Sequence, residues 1–422
     1  MEKPANKETR TFPRARTSYS STIHELFGHF VYRYGLPYPV LSRLSLVLLS
    51  LLVCLAACAP GTGIFGGGSW QPGGLQKQRI RTLAVDPNNL QSIYAGDAQD
   101  GIFASTDAGM HWSQRSTGLP LPITIHALAF DDSGKKLYAA TDARVYVSAD
   151  AAQHWTALTG LPLGNYTALA FDLKAPHTIY TAAEHQGVLV STNDGTSWSA
   201  ASGRLPVGIM INGLTFDADQ HQLWAATNLG IYRSGDGGIT WQALNNGLPA
   251  AIMVYAILPA SIYGGTQGLV FAGTNQGLFR SQDGGARWSR SQETLSGTSV
   301  YAILIDYRQA STVYVAISIG VLRSDDNGQN WEAVAGGLPK GQPVYALALG
   351  SNGYSQLFAA VNDVYLYPGN SSIFNPSQLI PFLLIIIGFL VLYRLTAQGR
   401  RRARETFRRK QVDETEKSRE HK

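Results

Sequence analysis

Cysteine is almost missing from this chain: two in 422 residues, Cys54 and Cys58, both inside one N-terminal apolar stretch. The rest of the protein can form no disulfide and offers no cysteine metal site, so its stability has to come from packing. Charge is sparse too, at 15% of residues. Glutamate is scarce in the long middle section, where residues 69–368 hold only Glu184, Glu293 and Glu332. The formal net charge of +5 does not describe a basic surface, because residues 69–368 carry 16 Lys+Arg against 21 Asp+Glu. The basic excess sits at the two ends, which argues against a uniformly basic nucleic-acid surface. Glycine is plentiful, at 44 residues, and 45% of the chain is hydrophobic, a balance that suits a large all-β repeat protein.

One phrase recurs six times. It reads S-x-D-x-G-x-x-W and opens at Ser105, Ser148, Ser191, Ser234, Ser281 and Ser324, at intervals of 43, 43, 43, 47 and 43 residues. A fixed period of this size marks a repeat fold, whose units must stack to bury their apolar faces. In each copy a strand such as Gly230-Ile-Tyr-Arg233 runs into a tight turn. There the acid can accept backbone N–H bonds and the glycine can take a positive φ. The tryptophan then opens the next strand as a large apolar wedge. Ala152 replaces the glycine in the second copy, and Asn193 replaces the acid in the third, with Asp194 one place late. Those two turns are expected to be looser.

A second phrase occurs seven times, beginning at Arg81, His126, Thr167, Asn212, Tyr255, Tyr301 and Tyr345. Gly-Leu-Pro breakers at 118–120, 160–162, 247–249 and 337–339 end most units. Four short strands per 43 residues make one propeller blade. The long interval places four extra residues near Pro259–Gly265, between the first and second strands of their blade. The seventh unit stops after three strands, at Val364–Tyr367, while Ser69-Trp70 lies 42 residues before Trp112 and resembles a stray fourth strand. That N-terminal strand is predicted to complete the seventh blade and so remove exposed sheet edges. Phe374, 43 residues after Trp331, is the competing local candidate.

These motifs resemble the Asp-box (BNR) repeat of β-propeller proteins, and more closely the photosystem II stability/assembly factor family. The resemblance covers roughly residues 69–368 and implies an all-β fold: a seven-bladed β-propeller with four-stranded blades, closed by the N-terminal strand. In such propellers the boxes lie on the face opposite the ligand site. Asp107, Asp150, Asp194, Asp236, Asp283 and Asp325 are therefore expected to be structural. Trp70, Trp112, Trp155, Trp198, Trp241, Trp288 and Trp331 are the expected blade wedges. The candidate binding face carries Arg81, His126, Asn212, Tyr255, Tyr301 and Tyr345 near the channel mouth. Asp97, Asp100, Asp142, Glu184, His185, Asn228, Asn275 and Asp363 form a second set in the loops. The family implies a protein partner at the membrane and no reaction; from the residues themselves no cofactor, metal or nucleic-acid partner is expected. Few basic residues, Arg81 and Arg144, stand on this face, a departure from the family's arginine-rich patch.

The alternative is a glycan-binding propeller or a sialidase- or glycoside-hydrolase-like enzyme. Arg204-Leu205-Pro206 resembles the sialidase Arg-Ile-Pro signature but occupies the Gly-Leu-Pro place of its repeat. Glycosidase chemistry also needs two carboxylates flanking the bond, and the sequence places no such pair.

The ends read as membrane segments. Residues 1–43 form a basic lead, 44–58 an export signal or signal anchor, and 59–68 a linker. Leu55-Ala56-Ala57-Cys58 resembles a bacterial lipobox, which makes Cys58 the lipidation candidate; an uncleaved signal anchor is the other reading. After the propeller at 69–368 and a linker at 369–378, Leu379 to Tyr393 is unbroken and apolar within a predicted transmembrane helix at 379–395. Arg394 at the end of that span, and Arg400, Arg401 and Arg402 in a basic tail at 396–422, mark a cytoplasmic flank. The expected location is the cell membrane, with the propeller on the extracytoplasmic side.

Overall fold

Glycine-punctuated inner, second and third strands of four to nine residues, most with a buried apolar run, together with short two-residue outer strands, build seven antiparallel four-stranded sheets in the computed structural model. It describes residues 68–368 apart from 76, 132, 335 and 352–354. Blade 1 shows the plan, with strands Ile80–Asp86, Asn89–Asp97, Ile102–Ser105 and Ser113–Gln114 in that order. The inner strands of blades 2 to 7 are Ile125–Phe130, Tyr166–Phe171, Ile211–Asp217, Val254–Pro259, Val300–Ile305 and Ala346–Ser351. Each inner strand packs on the next, and the seventh packs on the first, so the ring closes. This is an all-β seven-bladed propeller. The four extra residues of blade 5 lie in a connection containing the 3-10 turn Ala260–Tyr263.

Closure uses the N-terminal segment. The seventh sheet has Asp363–Pro368 as its third strand, and its outer place is filled by Gln71–Pro72, with Gln71 opposite Leu366. Trp70 is 2% exposed and packs 5.4 Å from Tyr367. Phe374 lies outside the described residues, as do Leu44–Leu55, Cys54, Cys58 and Leu379–Tyr393. Among the described residues no helix is long and apolar enough to cross a membrane.

The core is seven wedges between blades. One holds Tyr94, Ile102 and Ala104 of blade 1 against Ile125, Leu128 and Trp155 of blade 2. Another holds Ala316 and Val321 of blade 6 against Val344, Leu357 and Trp70. Most of the indole N–H groups reach backward: Trp112 Nε1 donates to Gly73 O at 2.6 Å, Trp155 to Arg115 O at 2.8 Å and Trp288 to Leu244 O at 2.8 Å, whereas Trp198 bonds Gly195 O of its own turn and Trp70 Nε1 has no acceptor. A large apolar ring with one polar tip suits this place, because the tip finds a carbonyl that would otherwise be buried unpaired.

The Gly-Leu-Pro breakers follow from the same contact. A Cβ on Gly118 would lie 2.2 Å from Trp155 O, and one on Gly247 would lie 2.2 Å from Trp288 O. Both glycines also have φ above +90°. Gly337 stands in the same relation to Trp70, 2.6 Å from its carbonyl oxygen, so the closing interface repeats the internal ones.

The six eight-residue turns share one bonding scheme. The serine Oγ accepts the N–H four residues on, at 2.8 Å from Gly109, Gly195, Gly238, Gly285 and Gly328 and 2.9 Å from Ala152. The acid accepts another, as Asp107 Oδ1 does from His111 N at 2.9 Å. The expected loosening at copies two and three does not occur. Ala152 takes φ +63° at a cost of roughly 1–2 kcal/mol, and Asn193 Oδ1 accepts Ser197 N at 2.9 Å as a carboxylate would. Two of the acids assigned to turns are corrected. Asp194 binds His177 Nδ1 at 2.8 Å and Lys136 Nζ at 3.3 Å instead. Asp325 pairs with Arg323 at 2.7 Å and accepts Thr312 Oγ1, while Asp326 closes the sixth turn through Asn330 N at 2.9 Å. In both cases the acid adjacent to the turn position points away: Asp194 toward Lys136 and His177 in connections preceding second strands, and Asp325 toward Arg323 of the strand that enters its own turn.

Candidate interaction face

The inner strands of blades 1 to 6 each begin with a β-bulge, at Ile80/Thr82, Ile125/Ala127, Tyr166/Ala168, Ile211/Gly213, Val254/Ala256 and Val300/Ala302. A bulge leaves one residue out of the ladder and re-aims it. The residues so displaced are Arg81, His126, Thr167, Asn212, Tyr255 and Tyr301, and Tyr345 holds the matching place before the seventh inner strand. All seven are half-buried at one end of the ring, where the chain enters each blade. The eight-residue turns join third and outer strands at the other end.

The ring of seven is not uniform. Tyr255 and Tyr301 have centroids 5.1 Å apart, and Tyr301 and Tyr345 5.5 Å. The Arg81 guanidinium then lies 4.0 Å over the Tyr345 ring. Four adjacent blades thus share one aromatic arc ending in a cation. On the opposite side small polar groups tie blade to blade: Thr167 Oγ1 donates to Ile211 O at 2.6 Å and Asn212 Nδ2 to Val254 O at 2.8 Å. Asn212 is therefore a strut, not a free contact. His126 is lowered in pKa by burial, against the pull of the Asp142 and Glu184 carboxylates.

The loop acids and amides serve the frame. Asp97, 1% exposed, accepts N–H groups from Gln99 and Asp100 on one oxygen and from Arg79 on the other. Asn228 and Asn275 cap the strands beside them, accepting Met210 N at 2.9 Å and Met253 N at 3.0 Å. Asp142 does the same for Thr124 N at 3.3 Å, and Asp363 for Gln78 N, with burial raising its pKa. Glu184 accepts from Asn165 Nδ2 at 3.0 Å, and the exposed His185 lies beside it at 3.7 Å. Arg144 donates to Leu161 O at 2.8 Å, which leaves Arg81 as the cation of the arc. Sequence reasoning passed over Thr167, whose place in the seven-copy phrase is the signal for it. It also passed over the apolar rim of this face, where Leu163 and Val207 stand exposed in the connections entering blades 3 and 4. Among the described residues no cluster of His, Cys, Asp or Glu could hold a metal ion.

Residues 134–372, more than half of the chain, match the family described as the DUF6242 beta propeller domain. The chain belongs to this family. Curated proteins give no match to this DUF6242 propeller. Among solved structures it is similar to the extracellular domain of a putative hybrid two component system from B. thetaiotaomicron, with 14% identity and a TM-score of 0.58, covering 71% of this chain and 39% of that one. It is similar to a GH74 xyloglucanase from Xanthomonas campestris, with 16% identity and a TM-score of 0.56, covering 71% of this chain and 53% of that one. It also resembles YCF48 from Cyanidioschyzon merolae, with 14% identity and a TM-score of 0.55, covering 72% of this chain and 99% of that one. YCF48 has also been solved bound to D1 peptide. The DUF6242 chain spans about two fifths of the first relative and about half of the second. At these identities the likeness establishes the fold alone.

Proposed function

We propose that this DUF6242 propeller is a membrane-tethered, extracytoplasmic binding platform that holds a protein partner on its Tyr255–Tyr301–Tyr345–Arg81 arc and catalyses no reaction. The observation that carries this reading is the unbroken arc itself, three tyrosines and one arginine across four blades, each 4.0–5.5 Å from the next. Tyrosine and arginine at the centre of a face supply most of the energy of protein interfaces, with large contact area at small entropic cost. YCF48, bound to a peptide, and the extracellular domains from B. thetaiotaomicron support the same placement and use. The tether is assigned to the segments flanking the ring: the lipobox at Cys58 or a signal anchor at one end, and the span at 379–395 with its cytoplasmic basic tail at the other.

The second reading, glycan binding or cleavage, is favoured by the likeness to a xyloglucanase. Against it, Asp97, Asp142 and Asp363 spend acceptor oxygens on backbone N–H groups, whereas glycoside hydrolysis needs two carboxylates turned to the bond.

A photo-crosslinking residue in place of Tyr301, in the full chain within its own membrane, tests the proposal. The expected result is a discrete protein adduct that weakens when Arg81 or Tyr345 is changed to Ala. Turnover of xyloglucan or a sialoside, abolished by changing a single carboxylate, would sink it.

A further inference from the structure

At three consecutive blade interfaces an aromatic residue of the second strand meets a phenylalanine at the end of the next inner strand. The pairs are Tyr94–Phe130 at 5.7 Å, Tyr138–Phe171 at 5.2 Å and Tyr180–Phe216 at 5.5 Å. The fourth interface breaks the series. There the aromatic is Trp224, and the place of the phenylalanine is taken by Pro259, which leads into the 3-10 turn Ala260–Tyr263 of the longer blade 5. A cavity of about 200 Å³ opens where the ring would have stood. It lies at the end of the ring away from the tyrosine arc, between the Asp217 turn of blade 4 and the Asp283 turn of blade 5.

The walls are mixed. Pro259, Leu269 and Val270 give an apolar floor, and Gln220, Gln222 and Gln267 bring three amides to the sides. Asp217, 1% exposed, accepts Ser261 Oγ at 2.5 Å on one oxygen and two backbone N–H groups on the other. Arg233 lines the opposite wall. Its Nη1 donates to Gly284 O at 3.0 Å, its guanidinium lies 5.3 Å from the Trp224 ring, and burial lowers its pKa. Among the described residues no carboxylate lies within 4.0 Å of it, so N–H groups remain for another acceptor. Trp224 Nε1 is buried without an acceptor.

We infer that this cavity is a binding site for a neutral, polyhydroxylated molecule the size of one sugar ring. The volume is below the roughly 300–1,000 Å³ of pockets that hold drug-sized ligands, which restricts it to a single ring. Two carboxylates against one guanidinium disfavour an anion. Donors and acceptors, from the glutamine amides and the Arg233 guanidinium, border an apolar floor, and a pyranose offers the complement: hydroxyls at its edge and C–H groups on its face. The site is separate from the partner face and stands or falls independently of it.

Saturation-transfer difference NMR on the full chain, with D-glucose, D-galactose and D-xylose as probes and D-glucuronate as the anionic comparison, tests this. The expected result is transfer to at least one neutral sugar and not to glucuronate. Pro259→Phe should restore the aromatic pair, fill the space and reduce the transfer roughly tenfold, equivalent to the loss of one good contact. Gln267→Trp, at an exposed rim position, should block the opening and do the same, and it serves if the first variant fails to fold. No transfer to any neutral sugar, equal transfer to glucuronate, or transfer undiminished in the folded variants would each overturn the inference.

Discussion

Arg81 and Tyr345 stand at opposite ends of the repeat array, yet the guanidinium of one lies 4.0 Å over the ring of the other. The contact exists because the ring closes: blade 7 is laid against blade 1, and the chain's first inner strand receives its last. It is both a seam of the fold and the cationic end of the tyrosine arc.

Removing that cation should therefore separate binding from stability. Arg81→Ala forfeits a half-buried cation–π contact worth about 0.5–1 kcal/mol, so the midpoint of urea unfolding should move little. Partner capture through the arc should drop by a larger factor, as for a central interface arginine. Equal losses in both measurements would show that Arg81 serves only the seam.

Closure makes Trp70 as important as any internal indole. Trp70→Ala should cost about 3–5 kcal/mol, the range for a buried tryptophan, and match Trp288→Ala in chemical denaturation. A loss under about 1 kcal/mol would mean that the N-terminal strand adds nothing to the ring.

Gly118 and Gly247 should resist substitution more than glycines of open loops. Gly118→Ala sets a Cβ 2.2 Å from Trp155 O, a backbone atom that cannot swing aside. The positive φ adds roughly 1–2 kcal/mol of strain. At Gly208 an added Cβ would meet nothing within 4 Å, so Gly208→Ala should suffer the backbone strain alone. Paired thermal melts of the two variants check the difference.

Acid should loosen the turns. Carboxyl groups at Asp107, Asp150, Asp236 and Asp326 are held at about 2. At Asp107 and Asp326 burial pushes upward and is outweighed by hydrogen bonds from the turn; at Asp150 the His154 N–H leads, and at Asp236 the Thr240 hydroxyl. Each folded value lies below the ordinary aspartate value, so the unfolded chain binds more protons in between. The stabilisation is complete above about pH 4 and fades as pH falls toward 2. Circular dichroism during acid titration should show this loss. Replacing all four with Asn, the residue that already closes the third turn, should flatten the profile while keeping the fold at neutral pH.

What could be read along the chain was whatever depends on spacing. The 43-residue period, the seven inner phrases and the orphan Trp70 sufficed for seven blades and for the strand that completes the last. Local chemistry determined these, because an S-x-D-x-G turn and a flanking tryptophan need only near neighbours. Which acid closes a turn was less legible. Asp325 and Asp326 are adjacent in sequence, and only the packed strands, with Arg323 and Thr312 beside one of them, direct them to different tasks. The tyrosine arc, the capping duties of Asp97 and Asn275, and the gap beside Pro259 also required the closed ring. Each joins residues far apart in the chain, or tests whether a side chain's partners are already taken, and one-dimensional spacing carries neither quantity.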